Sequence, residues 1–409
     1  MHGFAFYPLH LAHMSLTTCL GAGLQANWKA ITNQHCGLKY CDFETVRLDT
    51  WIGEVNGLEK VHLPAHLRHF DCRNNRLAQL ALEQDDFIPA VQLLAKKYGA
   101  DRVGVFLGTS TSGILQTEVA YRQRDPHSGA LPKNFLYPYT QNTFSVADFV
   151  RSYLGLEGPA LSVSSACSSG AKVFGVAQRY IACGLIDAAI VGGVDSLCLT
   201  TLYGFASLEL TSSNPCQPFG LKRNGISVAE AAGFVLLTKA KQEMDEEEIF
   251  LLSVGESSDA YHMSSPHPQG QGAQLAMQKA LDGAKLSASC IDYINLHGTG
   301  TLSNDASEDQ AMVALFGTTT PCSSTKGATG HTLGAAGSIE AIITALCLQN
   351  DLIPGGLNTL ECDPALQSHY LLRNQAQHLK CAMSNSFGFG GSNCSLIFSK
   401  MHGVLDKQK

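Results

Sequence analysis

The chain has 409 residues, 45% hydrophobic and 15% charged, with 14 cysteines and a formal net charge of −7. That composition supports a large core in a soluble protein, and the chain is too long and too apolar for a secreted disulfide scaffold. The negative charge argues against general nucleic-acid binding, and an acidic protein partner would need a local basic patch.

The segment Met1-His2-Gly3-Phe4 lacks a basic n-region, and His10 and His13 interrupt the apolar stretch after it, so no signal peptide is expected. No apolar run is read as long enough to span a membrane. The cysteines are scattered without a Cys-x-x-Cys pair, which predicts reduced core residues and a cytoplasmic location.

Strand-like runs alternate with helix-like segments along the chain. Arg102–Leu107 reads as a strand ending in the turn Gly108–Gly113. A second apolar run stops just before Cys167, and a helical pattern follows from Lys172 to Ile181. Ala188–Val191 is a strand ending in Gly192-Gly193. Gly233–Leu237 and Ile249–Ser253 read as an antiparallel pair around the charged turn Asp245–Glu248. Ile291–Leu296 is a strand that delivers His297. Ala335–Leu348 is an Ala-rich helix, apolar on one face. Ala382–Ser384 and Cys394–Phe398 are the last strands, with Gly388–Gly391 between them, and the polar tail Met401–Lys409 is expected to be loose.

The pattern predicts an α/β fold with buried sheets and helices outside. The weakest seam, near residue 254, divides the chain into 1–253 and 254–409. Chemically interesting residues lie in loops after strands on both sides of it, as in two halves sharing one site.

Cys167 stands in Val163-Ser164-Ser165-Ala166-Cys167-Ser168-Ser169-Gly170, at a sharp strand-to-helix turn. The helix N-terminus there favours thiolate over thiol. A nucleophile and a small core cysteine both fit this stretch. Leu296-His297-Gly298-Thr299-Gly300-Thr301, followed by Asn304, Asp305 and Glu308, poises a histidine at a sheet end. Ser324-Thr325-Lys326-Gly327-Ala328-Thr329-Gly330-His331 places a lysine and a second histidine before a small-residue helix. Asn385-Ser386-Phe387-Gly388-Phe389-Gly390-Gly391 is a glycine-rich loop with two aromatics. It lacks the signature of a phosphate-cradling loop. The spacing of Cys167, His297 and His331 matches no zinc signature, so no metal is expected.

Taken together and in this order, these segments resemble the elongating β-ketoacyl-acyl carrier protein synthases of the thiolase superfamily, with Ser257-Ser258-Asp259-Ala260-Tyr261-His262-Met263 a further match. The resemblance runs from about Ser15 to Phe398. It implies the thiolase fold, an α-β-α-β-α layering of two similar halves, and a pair of subunits joined through a strand near Val163 or Ala188. It implies that Cys167 takes an acyl group from acyl carrier protein. Backbone N–H groups of Cys167 and Phe389 would form the oxyanion hole, with Phe389 also the gate. His297 and His331 would stabilise the enolate left when a malonyl thioester loses CO2. Lys326 would organise charge behind the site with Glu308, and Asp305 would support it. Thr299, Thr301 and Ser264 match positions contacting the phosphopantetheine arm, and no free cofactor is implied.

The His-His pair matches the elongating enzymes, not the initiating synthases with Cys-His-Asn or thiolases with Cys-His-Cys. Chain-length factors lack the cysteine, which this chain keeps. Two other readings remain: a non-catalytic subunit that sets chain length or docks carrier protein, and a thioester hydrolase. Gly220 stands where the family usually has Asp, and Ala229 and Ala231 stand where glycines flank the acid. Thr111 falls in the acyl-pocket loop, where a polar residue points to a shorter, unsaturated or aryl-bearing chain. With Leu199–Phe205 this resembles the synthases of aryl polyene pathways. Arg68 and Lys133 match rim positions that can meet an acidic carrier protein, and both also read as solvated surface charges.

Overall fold

The computed structural model describes residues 7–240, 245 and 247–400, so the tail Met401–Lys409 lies outside the described residues. Ten strands in chain order form the continuous path of the main sheet: β1 (Leu9–Thr18), β2 (Val103–Gly108), β3 (Ala160–Val163), β4 (Ala188–Asp195), β5 (Ala231–Lys239), β6 (Ile249–Ser258), β7 (Tyr293–Asn295), β8 (Cys322–Ser323), β9 (Cys381–Gly388) and β10 (Ser392–Lys400), and the two-residue strand Gly21–Ala22 pairs with the end of β1 as an eleventh. The helices that matter here are α1 (Arg73–Leu82), α2 (Ser145–Tyr153), α3 (Ser169–Ala182), α4 (Gln271–Ala284), α5 (Leu302–Phe316), α6 (Lys326–Thr329) and α7 (Ala336–Asn350).

Spatial order exposes a repeat. From the middle outward, the first half runs β1-β5-β4-β2-β3 and the second β6-β10-β9-β7-β8. Each half begins with two antiparallel pairings and ends with two parallel ones. The halves meet where β1 pairs antiparallel with β6, Leu9 opposite Leu251 and His10 opposite Phe250. Both inner pairings carry an irregularity at the corresponding place, between Leu11 and His13 and between Leu251 and Ser253.

The strands are apolar on both faces because both are covered. Along β5, Ala231, Val235 and Leu237 face one core while Ala232, Phe234 and Leu236 face another, the alternation that a pleated strand imposes. The shared core holds α3 and α7, packed on each other between the two halves of the sheet. α1 and α2 cover the outside of the first half, and α4 and α5 cover the second. This is the α-β-α-β-α layering. Glycines set the central fit. A Cβ on Gly337 would stand 2.5 Å from the Ala171 nitrogen, and one on Gly170 would stand 2.9 Å from the Gly334 carbonyl oxygen. The starts of α3 and α7 therefore touch through backbone.

Several sequence expectations change. Gly233–Leu237 and Ile249–Ser253 belong to β5 and β6, which do not pair, because β1 lies between them. β1 escaped the sequence reading since His10 and His13 break its apolar run. His10 is nonetheless buried, its ring 5.6 Å from Phe250. Division at 253/254 falls inside β6, whereas the repeat divides in the connection between β5 and β6. α7 is buried along Ala336–Leu348 on every side, not one. The 18-residue stretch Leu333–Asn350 is in fact long and apolar enough to cross a membrane, but it is 89% buried in the central layer.

Phe174 of α3 meets Phe398 of β10 edge-on at 6.1 Å, deep between the two halves of the sheet. Phe174→Ala is expected to cost about 3–5 kcal/mol, read as a lowered midpoint in chemical denaturation. An unchanged midpoint would contradict the layered packing.

Candidate active site

The turn before α3 is knitted by its own small hydroxyls. Ser165 N donates to Ser169 Oγ at 2.8 Å, Ser169 Oγ donates to the Ala166 carbonyl at 2.5 Å, and Ser168 Oγ donates to the Ser165 carbonyl at 2.9 Å. Ala166 takes a left-handed φ of 52°, unusual for a residue with a Cβ. This sharp elbow puts Cys167, 6% exposed, at the floor of a cavity of about 50 Å³.

His297 follows β7. Two carboxylates of α5 shape its loop: Glu308 accepts from His297 N at 2.8 Å and Gly298 N at 2.7 Å, and Asp305 accepts from Thr299 N at 3.0 Å and Gly300 N at 3.2 Å. Thr301 caps α5, its Oγ1 accepting from Asn304 N at 3.3 Å. His331 is held through its backbone, which donates to the Ser227 carbonyl at 2.7 Å and accepts from Ala229 N at 2.9 Å.

These elements bring three side chains together. His331 Nε2 lies 3.1 Å from Cys167 Sγ. The His297 and His331 rings stand 5.3 Å apart at 83°, and the ligand-capable atoms of all three residues fall within 4.8 Å. Lys326, fully buried, donates from Nζ to the His297 carbonyl at 2.5 Å and lies 3.4 Å from His297 Nδ1. An ammonium has no lone pair, so Nδ1 is the acceptor. The ring proton of His297 is therefore on Nε2.

The ion-pair partner of Lys326 is Glu340 of α7, a residue the sequence reading did not single out. Glu308 spends its oxygens on the His297 loop. Glu340 carried an unread signal: a lone acid in an otherwise apolar core helix demands a buried partner.

Burial dominates the titration of the site. It pushes the Cys167 thiol up to about 12, against the smaller opposing effects of the Lys326 charge and the Phe389 N–H. Cys167 is thus a thiol at rest, not the thiolate expected from the helix terminus. Burial, then the Lys326 charge, holds both histidines well below 6.5, so both imidazoles are neutral. Burial also raises Glu308 and Glu340 to about 7 each, with Lys326 opposing.

Thr299, Thr301 and Ser264 line the cavity with Phe205 and Phe389. The Phe389 and Phe205 rings meet at 5.7 Å. Other candidates lie elsewhere. Thr111 does not line the cavity, and its hydroxyl donates to Asp195 at 2.8 Å, so the argument from a polar group facing an acyl chain does not hold. Arg68, in the short helix Ala65–Phe70, and Lys133, in a loop, are exposed and line no part of this cavity. A Cβ at Gly220 would come 2.9 Å from the Gln217 carbonyl oxygen, so the missing side chain there relieves crowding.

The model of the Beta-ketoacyl synthase, N-terminal domain matches residues 13–243, and that of the Beta-ketoacyl synthase, C-terminal domain matches residues 250–360. The 3-oxoacyl-[acyl-carrier-protein] synthase 2 of Staphylococcus aureus (strain COL) is 31% identical over 381 residues, 85% of this chain and 92% of that protein. The protein of the same name from Vibrio cholerae serotype O1 is 30% identical over 417 residues, 95% of this chain and 98% of that one. Among solved structures, a chain of the complex of ketosynthase ApeO with its chain length factor ApeC, from Xenorhabdus doucetiae, superposes with a TM-score of 0.87 at 37% identity, covering 97% of this chain and 98% of that chain.

Glu308 supplies a pH prediction. Its carboxyl moves from 4.5 in the unfolded chain to about 7 in the folded one. A raised acid favours folding below the unfolded value and loses that contribution as pH rises through the folded value, here about 3 kcal/mol between pH 4.5 and 7. Glu308→Gln is expected to lower stability overall, because an amide cannot accept both N–H groups on its two ends, yet to flatten the pH dependence across that window. Denaturation midpoints at pH 5 and pH 8 check this, and an unchanged slope would contradict it.

Proposed function

The chain belongs to the β-ketoacyl synthase family, and from that premise we propose how its own residues carry the reaction. The protein is an acyltransferase, a 3-oxoacyl-acyl carrier protein synthase that condenses malonyl-carrier protein with an acyl chain. The observation that carries the reading is the Cys167–His331–His297 triangle backed by Lys326. A chain-length factor or docking subunit has no need of this set, so that alternative is not favoured.

In the first half-reaction the Cys167 sulfur attacks the thioester carbonyl of the acyl carrier. The thiol proton has a neutral acceptor 3.1 Å away in His331 Nε2. His331 cannot hold it for long with so low a pKa, and passes it to the departing pantetheine sulfur. The products are acyl-Cys167 and the free carrier thiol. The N–H of Phe389, already directed at Sγ, and that of Cys167 hold the developing oxyanion.

In the second half-reaction a malonyl thioester occupies the cavity, its arm beside Thr299, Thr301 and Ser264. Its carbonyl oxygen takes hydrogen bonds from His297 Nε2–H and from His331. Once Cys167 is acylated, Nε2 no longer faces a thiol proton, and the Nδ1 proton of His331, which has no hydrogen-bond partner among the described residues, shifts to Nε2 and makes it the second donor. The C–C bond to the carboxylate breaks, CO2 leaves and the enolate forms. Its carbon attacks the acyl-Cys167 carbonyl, giving β-ketoacyl-carrier protein and returning the sulfur as a thiolate, which takes a proton from water to restore the resting thiol. Asp305 and Glu308 keep the His297 loop in shape.

The partner subunit, a copy or a related chain, is proposed to add to the outer edge of β3. β4, with Ala188, has strands on both sides and offers no edge, whereas β3 with Val163 ends the sheet. A heterodimer with a chain length factor is the favoured form, because identity to the ApeO–ApeC structure, 37%, exceeds the 31% to the staphylococcal enzyme. An aryl polyene type of acyl chain is supported by Phe205 of Leu199–Phe205, which presents its ring to the Cys167 cavity against Phe389. Substrates arrive on acyl carrier protein with no separate cofactor. All 14 cysteines are free thiols, in keeping with a cytoplasmic site of action.

Incubation with acyl-carrier protein should give one acyl adduct on Cys167 by mass spectrometry, and added malonyl-carrier protein a product two carbons longer. Cys167→Ala should abolish both, and absence of the adduct in the unmodified protein would sink the reading. Polyenoyl donors should outperform saturated ones of equal length if the aryl polyene assignment holds. His297→Ala should still acylate Cys167, while malonyl decarboxylation falls by about 10²–10³, the cost of one lost oxyanion donor. Lys326→Ala should show a milder version of the same split, since it frees the His297 tautomer.

A further inference from the structure

Asp195, at the end of β4, is a fully buried carboxylate, and no cationic side chain pairs with it among the described residues. Its partners are hydroxyls and backbone N–H groups from two directions. Oδ1 accepts from Thr109 Oγ1 at 2.7 Å, Ser110 N at 2.8 Å, Thr111 N at 2.9 Å and Thr111 Oγ1 at 2.8 Å. Oδ2 accepts from Ser110 Oγ at 2.5 Å and Gly334 N at 2.5 Å. The first group is the loop after β2. Gly334 belongs to the turn that joins His331 to α7.

That turn is strained. Leu333, buried and two residues past His331, has a left-handed φ of 53°, an uncommon state for a branched side chain. Such a conformation persists only where the surroundings over-determine it. The backbone of His331 is anchored on its other side by Ser227 and Ala229, so the Gly334 N–H held by Asp195 is the anchor after the strained residue. The fit is close: a Cβ on Gly334 would stand 2.7 Å from Asp195 Oδ2 and 2.8 Å from Ser110 N.

We propose that Asp195 is a positioning residue: its carboxylate clamps the Thr109–Thr111 loop to Gly334 and so holds the strained turn in the form that aims His331 Nε2 at Cys167. It acts through His331 and touches no substrate. The same clamp joins the loop after β2 to the start of α7, so the first half of the chain sets the aim of a histidine contributed by the second. The inference rests on the condensing role given to His331 above.

Two variants approach the clamp from opposite sides. Asp195→Asn removes the charge and turns an amide N–H against donors. Gly334→Ala keeps every charge and wedges a methyl into the clamp. Each is compared with the unaltered protein for thermal midpoint, for kcat and KM of malonyl-carrier protein decarboxylation, and for the rate of iodoacetamide alkylation at Cys167. Folded variants are expected to lose about 10- to 100-fold in kcat, as a small misplacement of a reacting group does, with KM within about twofold. Gly334→Ala should also slow alkylation several-fold, because the acceptor for the thiol proton has moved. Unchanged kcat and alkylation in folded Gly334→Ala would overturn the proposal, whatever becomes of Asp195→Asn. Loss of fold in both would also overturn it, making Asp195 a residue of the fold and not of the site. If the unaltered protein decarboxylates nothing, the condensing role fails, and the alkylation comparison still tests the clamp.

Discussion

The site depends on one buried ammonium. Lys326 has no exposed surface, and a charge in that position is tolerated only if it is paired and hydrogen-bonded. Glu340 pairs with it from the central helix, and the His297 carbonyl accepts a further bond. Its influence on both histidines follows from proximity. It adds to burial in keeping the two imidazoles neutral, and it forces the proton of His297 onto Nε2. Two neutral N–H donors around one oxygen suit an enolate that forms and disappears within a cycle. A permanent imidazolium would bind carboxylates indiscriminately and hold the product as well.

The repeat explains how these groups come to share a cavity. β3 leads through the Cys167 elbow into α3. At the corresponding place in the second half, β8 leads through Lys326 and His331 into α7. β2 leads to the Thr109–Ser112 loop, and its counterpart β7 leads to His297. In the proposed reaction one repeat therefore carries the nucleophile, and the other carries the groups that manage charge on the incoming thioester. Because α3 and α7 start against each other through Gly170 and Gly337, the sulfur and the turn that carries His331 are brought side by side. The glycine contacts that build the central layer thus also bring the two reacting segments together.

Much of this was legible in the residues. Cys167, His297, His331 and Lys326 stand in loops that follow apolar runs, and their surrounding glycines and hydroxyls mark places where a chain turns and another molecule approaches. What escaped reading was long-range. β1 carries two histidines, His10 buried and His13 half-buried, so its period looked broken. The interposition of β1 between β5 and β6 is a topological choice that two apolar runs and a charged turn do not disclose. Thr111 reads as a pocket residue until Asp195, 84 positions away, claims its hydroxyl. Glu340 was visible as an acid among Ala and Ile, but its partner lies on a different element, and only the packed layer brings it to Lys326.

The protonated state of Cys167 follows from the same burial. A helix terminus lowers a thiol pKa by offering partial positive charge, but an ion buried among apolar groups loses far more in hydration than such a partial charge returns. The balance here lies with burial. A thiol that stays protonated at rest is protected from oxidation, which proceeds through the thiolate. In the proposed reaction it becomes nucleophilic when a thioester brings both an electrophile and a departing sulfur that can take the proton from His331. Activation is thereby coupled to the arrival of the substrate, and the low basicity of His331, a drawback in a lasting base, becomes the property that lets the proton pass on.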